Sequence, residues 1–172
     1  MARRSAEAAA HTLLTRWQID ELPTPVEHLA GLEGATIVRR PAEDAQSGFL
    51  YRDGINKIIG VNSRTSQTRQ RFTIAHEIGH LYLHRVDGLI VDHHIDNRNE
   101  LAGLGVDQRE IDANTFAAAL LMPREQVISQ VREALERPDI QRQERLILAL
   151  AKIFDVSSAA MGYRLINLGI YS

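Results

Sequence analysis

Residues His76-Glu77-Ile78-Gly79-His80 spell H-E-x-x-H inside Phe72–His84, a stretch that reads as helix. Positions i and i+4 share one helix face, so His76 and His80 can offer two imidazole nitrogens to one tetrahedral Zn²⁺. Glu77 follows the first ligand and points beside the metal position. There it can take a proton from a metal-activated water and later return it to a leaving amine. Two core histidines beside an exposed glutamate would carry the same letters. The motif therefore needs a surrounding helix, a third ligand and an open coordination position before it means peptide hydrolysis.

The chain has no cysteine, so a third ligand must be His, Asp or Glu. The next strongly helical stretch is Asp107–Met122, with Ile111, Ala118, Leu121 and Met122 expected to form its buried stripe. Glu110 falls in its first turn, and Asn114 lies one turn on along the same face. A carboxylate on a second helix facing an H-E-x-x-H helix is the glutamate-type zincin arrangement, which makes Glu110 the candidate third ligand. Asp112 is the rival, on a different side of the helix. Glu110 also has a purely structural reading, because Asp107 with Glu110 three residues on resembles a capping box. A His₂Glu set accepts Mn²⁺ or Fe²⁺ as well as zinc.

The elements that must position these groups follow from pattern. The helix that carries His76 has Thr65 or Ser66 to cap it and no interrupting proline. Gly79 costs about 1 kcal/mol of helix propensity, which a close neighbour, metal or backbone, would justify. Upstream lie a helix from Glu7 to about Trp17 and a short one entered through Pro23 and Pro25 and running to Leu32. Strands are expected at Ala35–Arg40, Gly48–Arg52 and Lys57–Asn62, with Asp53-Gly54 as a hairpin turn. Val86–Val106 reads as a polar loop. Pro123 opens a helix to about Leu135, and Arg142–Phe154 and Ser157–Leu168 are the last two. The expected fold is α+β, a zincin-like core with a small, largely antiparallel three-stranded sheet packed on helices. One domain spans 1–172, with a catalytic core at 35–125 and a helix-turn-helix-like pair at 141–170.

Other features divide between roles. Ile58–Asn62, if it is an edge strand beside the metal helix, could receive a substrate segment by strand addition; otherwise it is an ordinary core strand. His84 could donate to an oxyanion or simply cap its helix, where a partly positive ring suits the dipole. His93 and His94 could form a metal patch, although adjacent loop residues chelate one ion poorly. The second helix of the C-terminal pair offers Ser, Ala, Met, Tyr and one arginine, Arg164, which is thin for reading bases or phosphates.

Composition narrows the class. The 172 residues are 44% hydrophobic and 24% charged, with a net charge of −2, ordinary for one globular domain and no support for nonspecific nucleic-acid binding. Absence of cysteine rules out disulfides and thiolate sites and suits the cytoplasm. The N-terminus Met1-Ala2-Arg3-Arg4-Ser5 is basic, but Glu7 and His11 spoil a signal-peptide core, and no 18-residue apolar span exists that would suit a membrane.

Two blocks carry a resemblance: Arg71-Phe72-Thr73-Ile74-Ala75-His76-Glu77-Ile78-Gly79-His80 followed by Leu83-His84, and Glu110-Ile111-Asp112-Ala113-Asn114-Thr115-Phe116-Ala117-Ala118 closing with Leu120-Leu121-Met122-Pro123. With Ser47-Gly48-Phe49 and Ile59-Gly60-Val61-Asn62 they span most of 35–125, and the chain resembles the ImmA/IrrE metallo-endopeptidases. The resemblance implies that His76, His80 and Glu110 bind one zinc ion and that Glu77 is the base. It implies a protein substrate, a helix-turn-helix repressor of the xenobiotic-response-element type. The competing reading is a noncatalytic, metal-containing regulator that binds a transcription factor or DNA. Glu77 speaks against it, because a protein without catalysis has little reason to keep the base between intact ligands.

Overall fold

Short apolar runs build a sheet, and one long buried helix packs against it. The computed structural model describes residues 2–43, 46–84, 88–93, 108–136, 140 and 142–171. Strands β1 (Thr36–Arg40), β2 (Gln46–Asp53), β3 (Asn56–Asn62) and β4 (Gly88–His93) form one sheet in the order β1-β3-β2-β4. Strands β2 and β3 make a hairpin through Gly54-Ile55, with Asp53 opposite Asn56. Gly54 takes φ +47°, a left-handed conformation open to glycine at little cost. Strand β4 pairs antiparallel with β2, Val91 opposite Phe49, whereas β1 runs parallel to β3, Val38 opposite Gly60.

The sheet is therefore four-stranded and mixed, not three-stranded and largely antiparallel. Strand β4 comes from the stretch expected to be loop. Its apolar run is only Leu89-Ile90-Val91, too short to show a period, and pairing with β2 completes it. The rest of that expected loop, including His94, lies outside the described residues. The parallel pair arises because the β2–β3 hairpin folds back so that β3, not β2, meets β1. Strand β3 is thus interior, bonded on both sides, and Ile58–Asn62 is not an edge that could take up a substrate segment. A proline at Gly60 would break interior pairing and so damage the sheet itself.

Among the described residues there are seven helices: α1 (Ala2–Arg16), α2 (Val26–Leu32), α3 (Gln67–Leu83), α4 (Gln108–Leu121), α5 (Arg124–Leu135), α6 (Gln143–Phe154) and α7 (Ser158–Asn167). Helix α3 packs on β2 and β3 and, on another side, against α4, which in turn packs on α1. That surround explains why nearly every residue from Arg71 to His80 is buried. Helix α4 buries Ala113, Phe116, Ala117 and Leu120, a face spaced i, i+3, i+4, i+7, while Ile111 is exposed, contrary to the stripe expected from sequence. No single helix among the described residues is long and apolar enough to cross a membrane.

Helices α6 and α7 meet at 105° across a turn in which Asp155 adopts φ 50°, and Ser157 caps α7 by accepting from the Ala160 amide at 3.1 Å. The pair is stitched inward by two buried arginines. Arg71 of α3 donates to the Asp155 carbonyl (3.2 Å) and to the Thr24 carbonyl (2.9 Å), and pairs with the Asp155 carboxylate at 3.2 Å. Arg164 of α7, only 5% exposed, donates to the Met122 carbonyl at 2.9 Å and pairs with Glu7 at 2.7 Å. The one arginine of α7 points into the protein, not toward a nucleic acid.

Candidate metal centre

Buried Asn62 at the end of β3 sets where α3 starts. Its Oδ1 accepts from the Ala42 and Arg64 amides at 3.1 and 3.0 Å, folding the chain into a turn that delivers Ser66 to the N-cap. The Ser66 hydroxyl accepts from the Arg69 amide at 3.3 Å, so the helix begins five residues before the Phe72 expected from sequence. Two glycines then bring neighbours close. A Cβ on Gly79 would stand 3.2 Å from the Ala113 Cα and 3.2 Å from the Phe116 ring, so α3 and α4 approach almost backbone to backbone there. This is the close neighbour that the glycine's helix cost implied. On the other flank, a Cβ on Gly48 of β2 would run into the Thr73 methyl and the Gly60 carbonyl (2.6 Å), and would lie 3.5 Å from Oε1 of the fully buried Glu77.

The close α3–α4 approach carries Glu110 to the histidines. Nε2 of His76 lies 3.3 Å from Glu110 Oε2, Nε2 of His80 lies 3.3 Å from Glu110 Oε1, and the two Nε2 atoms are 2.9 Å apart. Both rings are buried, while the Glu110 side chain is 35% exposed, which leaves the cluster open on one side. Burial pushes the Glu110 carboxyl up, but hydrogen bonds and charge from His76 and His80 outweigh it and hold the group well below the usual carboxylate range.

The cluster passes a simple fit test for a divalent ion. Tetrahedral zinc with bonds of about 2.0–2.1 Å sets its ligand atoms about 3.3 Å apart. The two nitrogen–carboxylate separations, each to a different Glu110 oxygen, match that edge, and the Nε2–Nε2 separation of 2.9 Å is shorter than it. Two imidazole nitrogens and a carboxylate gathered this closely could hold one ion, and this donor set is one that zinc, manganese and iron accept.

The other candidates fall away from the cluster. Asp112 accepts from Gln108 at 2.9 Å on another side of α4. Asp107, the expected capping partner of Glu110, lies outside the described residues. His84 occupies the C-cap of α3, its ring 5.6 Å from that of His80 and its Nε2 3.3 Å from the Arg109 carbonyl, so it ties the end of α3 to the first turn of α4. Two participants carried no clear sequence signal. The role of Gly48 needs the strand-on-helix contact to be known. Asn114, recognised only as sharing a face with Glu110, has its Oδ1 3.1 Å from His76 Nδ1.

An H-E-x-x-H helix packed under a sheet, with a glutamate brought in by a second helix, defines a metallopeptidase-type site. Residues 31–166 match the peptidase M78 family, described as an IrrE N-terminal-like domain, and the chain belongs to this ImmA/IrrE family. The chain is 36% identical over 137 residues to the radiation response metalloprotease IrrE of Deinococcus radiodurans, covering 80% of this chain and 38% of that protein. It is 38% identical over 96 residues to the protein of the same name from Deinococcus deserti, covering 55% and 32%. An uncharacterized immunity region protein 2 of Bacillus phage phi105 is 38% identical over 84 residues, covering 48% of each chain. The chain thus spans between about a third and a half of the length of the curated relatives it matches.

Proposed function

We propose that this protein is a zinc-dependent endopeptidase that cleaves a helix-turn-helix transcriptional repressor, with His76, His80 and Glu110 as the metal ligands and Glu77 as the general base. The observation that carries the reading is the convergence of His76 and His80, on the helix that also bears Glu77, with the Glu110 carboxylate of α4 at separations of 2.9–3.3 Å. A divalent ion held by His76, His80 and Glu110 would supply Lewis acidity, polarising the scissile carbonyl and making water a stronger acid. Glu77 takes the proton of the attacking water and returns it to the leaving amine. Its burial beneath Gly48 limits its motion, so the carboxylate needs little reorganisation during the reaction. The groups on α3 and α4 fix the geometry, and the partly exposed Glu110 side of the cluster is where substrate enters.

The substrate segment adds along β4. That strand has no strand partner on its outer side among the described residues, and its inner neighbour β2 carries Gly48 over Glu77. An extended peptide there gains main-chain hydrogen bonds and is held straight for cutting. The relatives' names, an immunity region protein and radiation response metalloproteases, support a protease with a regulatory substrate. The reading includes a cytoplasmic location, where a repressor works and a cysteine-free chain is at home.

The test is incubation of the purified protein with the repressor encoded beside its gene, with and without chelator, followed by mass analysis of fragments. One discrete cut that chelator abolishes and added Zn²⁺ restores is the expected result. An intact repressor together with salt-dependent, sequence-specific DNA binding by this protein would favour the noncatalytic regulator instead.

A further inference from the structure

We propose that Asn114 is a positioning residue that fixes the tautomer of His76 without adding charge to the site; the inference rests on the metal reading above. Oδ1 of Asn114 lies 3.1 Å from Nδ1 of His76. A carbonyl oxygen can only accept, so Nδ1 must carry the ring proton, and the neutral ring then turns a bare Nε2 lone pair toward His80 and Glu110. Asn114 is four residues after Glu110 on α4, so one helix face supplies both a ligand and the group that orients another ligand on α3.

The residue type has a consequence of its own. A carboxylate at this place would orient the ring equally well and would also make the imidazole a stronger donor to the ion. The amide orients without that electron push. Glu110 then supplies a single negative charge against both histidines, and a dication bound there would keep net positive charge with which to polarise a carbonyl. Asn114 therefore trades some affinity for the metal against acidity of the site. It is exposed on α4, so its replacement leaves the packed face of that helix untouched.

The test compares the full chain with Asn114→Ala and Asn114→Asp, reading Zn²⁺ affinity by chelator competition, the visible absorption band with Co²⁺, and kcat on the repressor. Asn114→Ala should lower Zn²⁺ affinity about 10–100-fold and shift the Co²⁺ band, because the ring loses its orienting partner. Asn114→Asp should restore the affinity to the parent's or beyond while its kcat stays below the parent's. Parent-like affinity and spectrum in Asn114→Ala would overturn the proposal, as would a failure of Asn114→Asp to recover affinity. If the parent itself takes up no Zn²⁺, the metal reading falls and this proposal with it, an outcome distinct from the other two.

Discussion

Glu110 brings the one formal negative charge among the three converging groups, and its contacts with His76 and His80 keep it ionised. Removing it should cost far more metal than removing a neighbouring carboxylate. Glu110→Ala is expected to lose most of its metal on dialysis, whereas Asp112→Ala, whose partner is Gln108, should retain it. Elemental analysis of the two variants decides, and the reverse pattern would remove Glu110 from the ligand set. Glu77 allows a cleaner separation of chemistry from binding. Glu77→Gln keeps the shape under Gly48 but cannot accept the water's proton, so cleavage should fall about 10²–10⁴-fold with the metal still bound. Near-native turnover by that variant would move the base elsewhere.

At the scale of elements, the site depends on how closely α3 approaches α4. A methyl at Gly79 meets backbone at Ala113, which cannot swing aside as a flexible side chain could. Overpacking of this kind costs about 1–3 kcal/mol, against about 1 kcal/mol gained from better helix propensity. Gly79→Ala should therefore lower Tm, by about 2–4 °C for each net kcal/mol in a chain of this size, and weaken metal binding as Glu110 is moved away from the histidines. A rise in Tm with unchanged metal affinity would show that the helix contact has slack. Substrate addition along β4 makes a prediction with a period. N-methylation of successive substrate residues beside the cut should alternate between blocked and tolerated, since strand pairing uses every second amide on a given side. A flat response would count against strand addition.

For the whole molecule, the C-terminal helix pair is an anchored part of the fold. Arg164→Ala leaves the Met122 carbonyl without its donor and Glu7 without its partner, which should cost about 1–3 kcal/mol and appear as a drop in Tm. An unchanged Tm would show that these buried contacts contribute little. Metal should act globally too, because the cluster joins α3 to α4 and an unfolded chain has no such site. Zn²⁺ at a hundredfold excess over its Kd should raise stability by about 2.7 kcal/mol, an increase that chelator reverses. Thermal unfolding with and without the ion measures it directly.

The sequence by itself determined what a periodic pattern can encode. H-E-x-x-H on one face of a helix, Glu110 and Asn114 on one face of another, a cap at Thr65 or Ser66, the Ser157 cap and a hairpin turn near Gly54 are all relations between residues a few positions apart, although the structure sets that turn one residue on, at Gly54-Ile55. The three groups that converge were therefore nameable before any fold was known. Relations across the chain were decided only by tertiary structure. Whether β3 sits inside the sheet depends on where the hairpin lands against β1, a choice with no local signature. The short run Leu89-Ile90-Val91 becomes a strand only because β2 offers it a bonding edge. Arg164 reads as a surface cation until Glu7 and the Met122 carbonyl are brought to it. Asn114 likewise gains its place at the site when Gly79 lets α4 come close enough for an amide oxygen to reach His76.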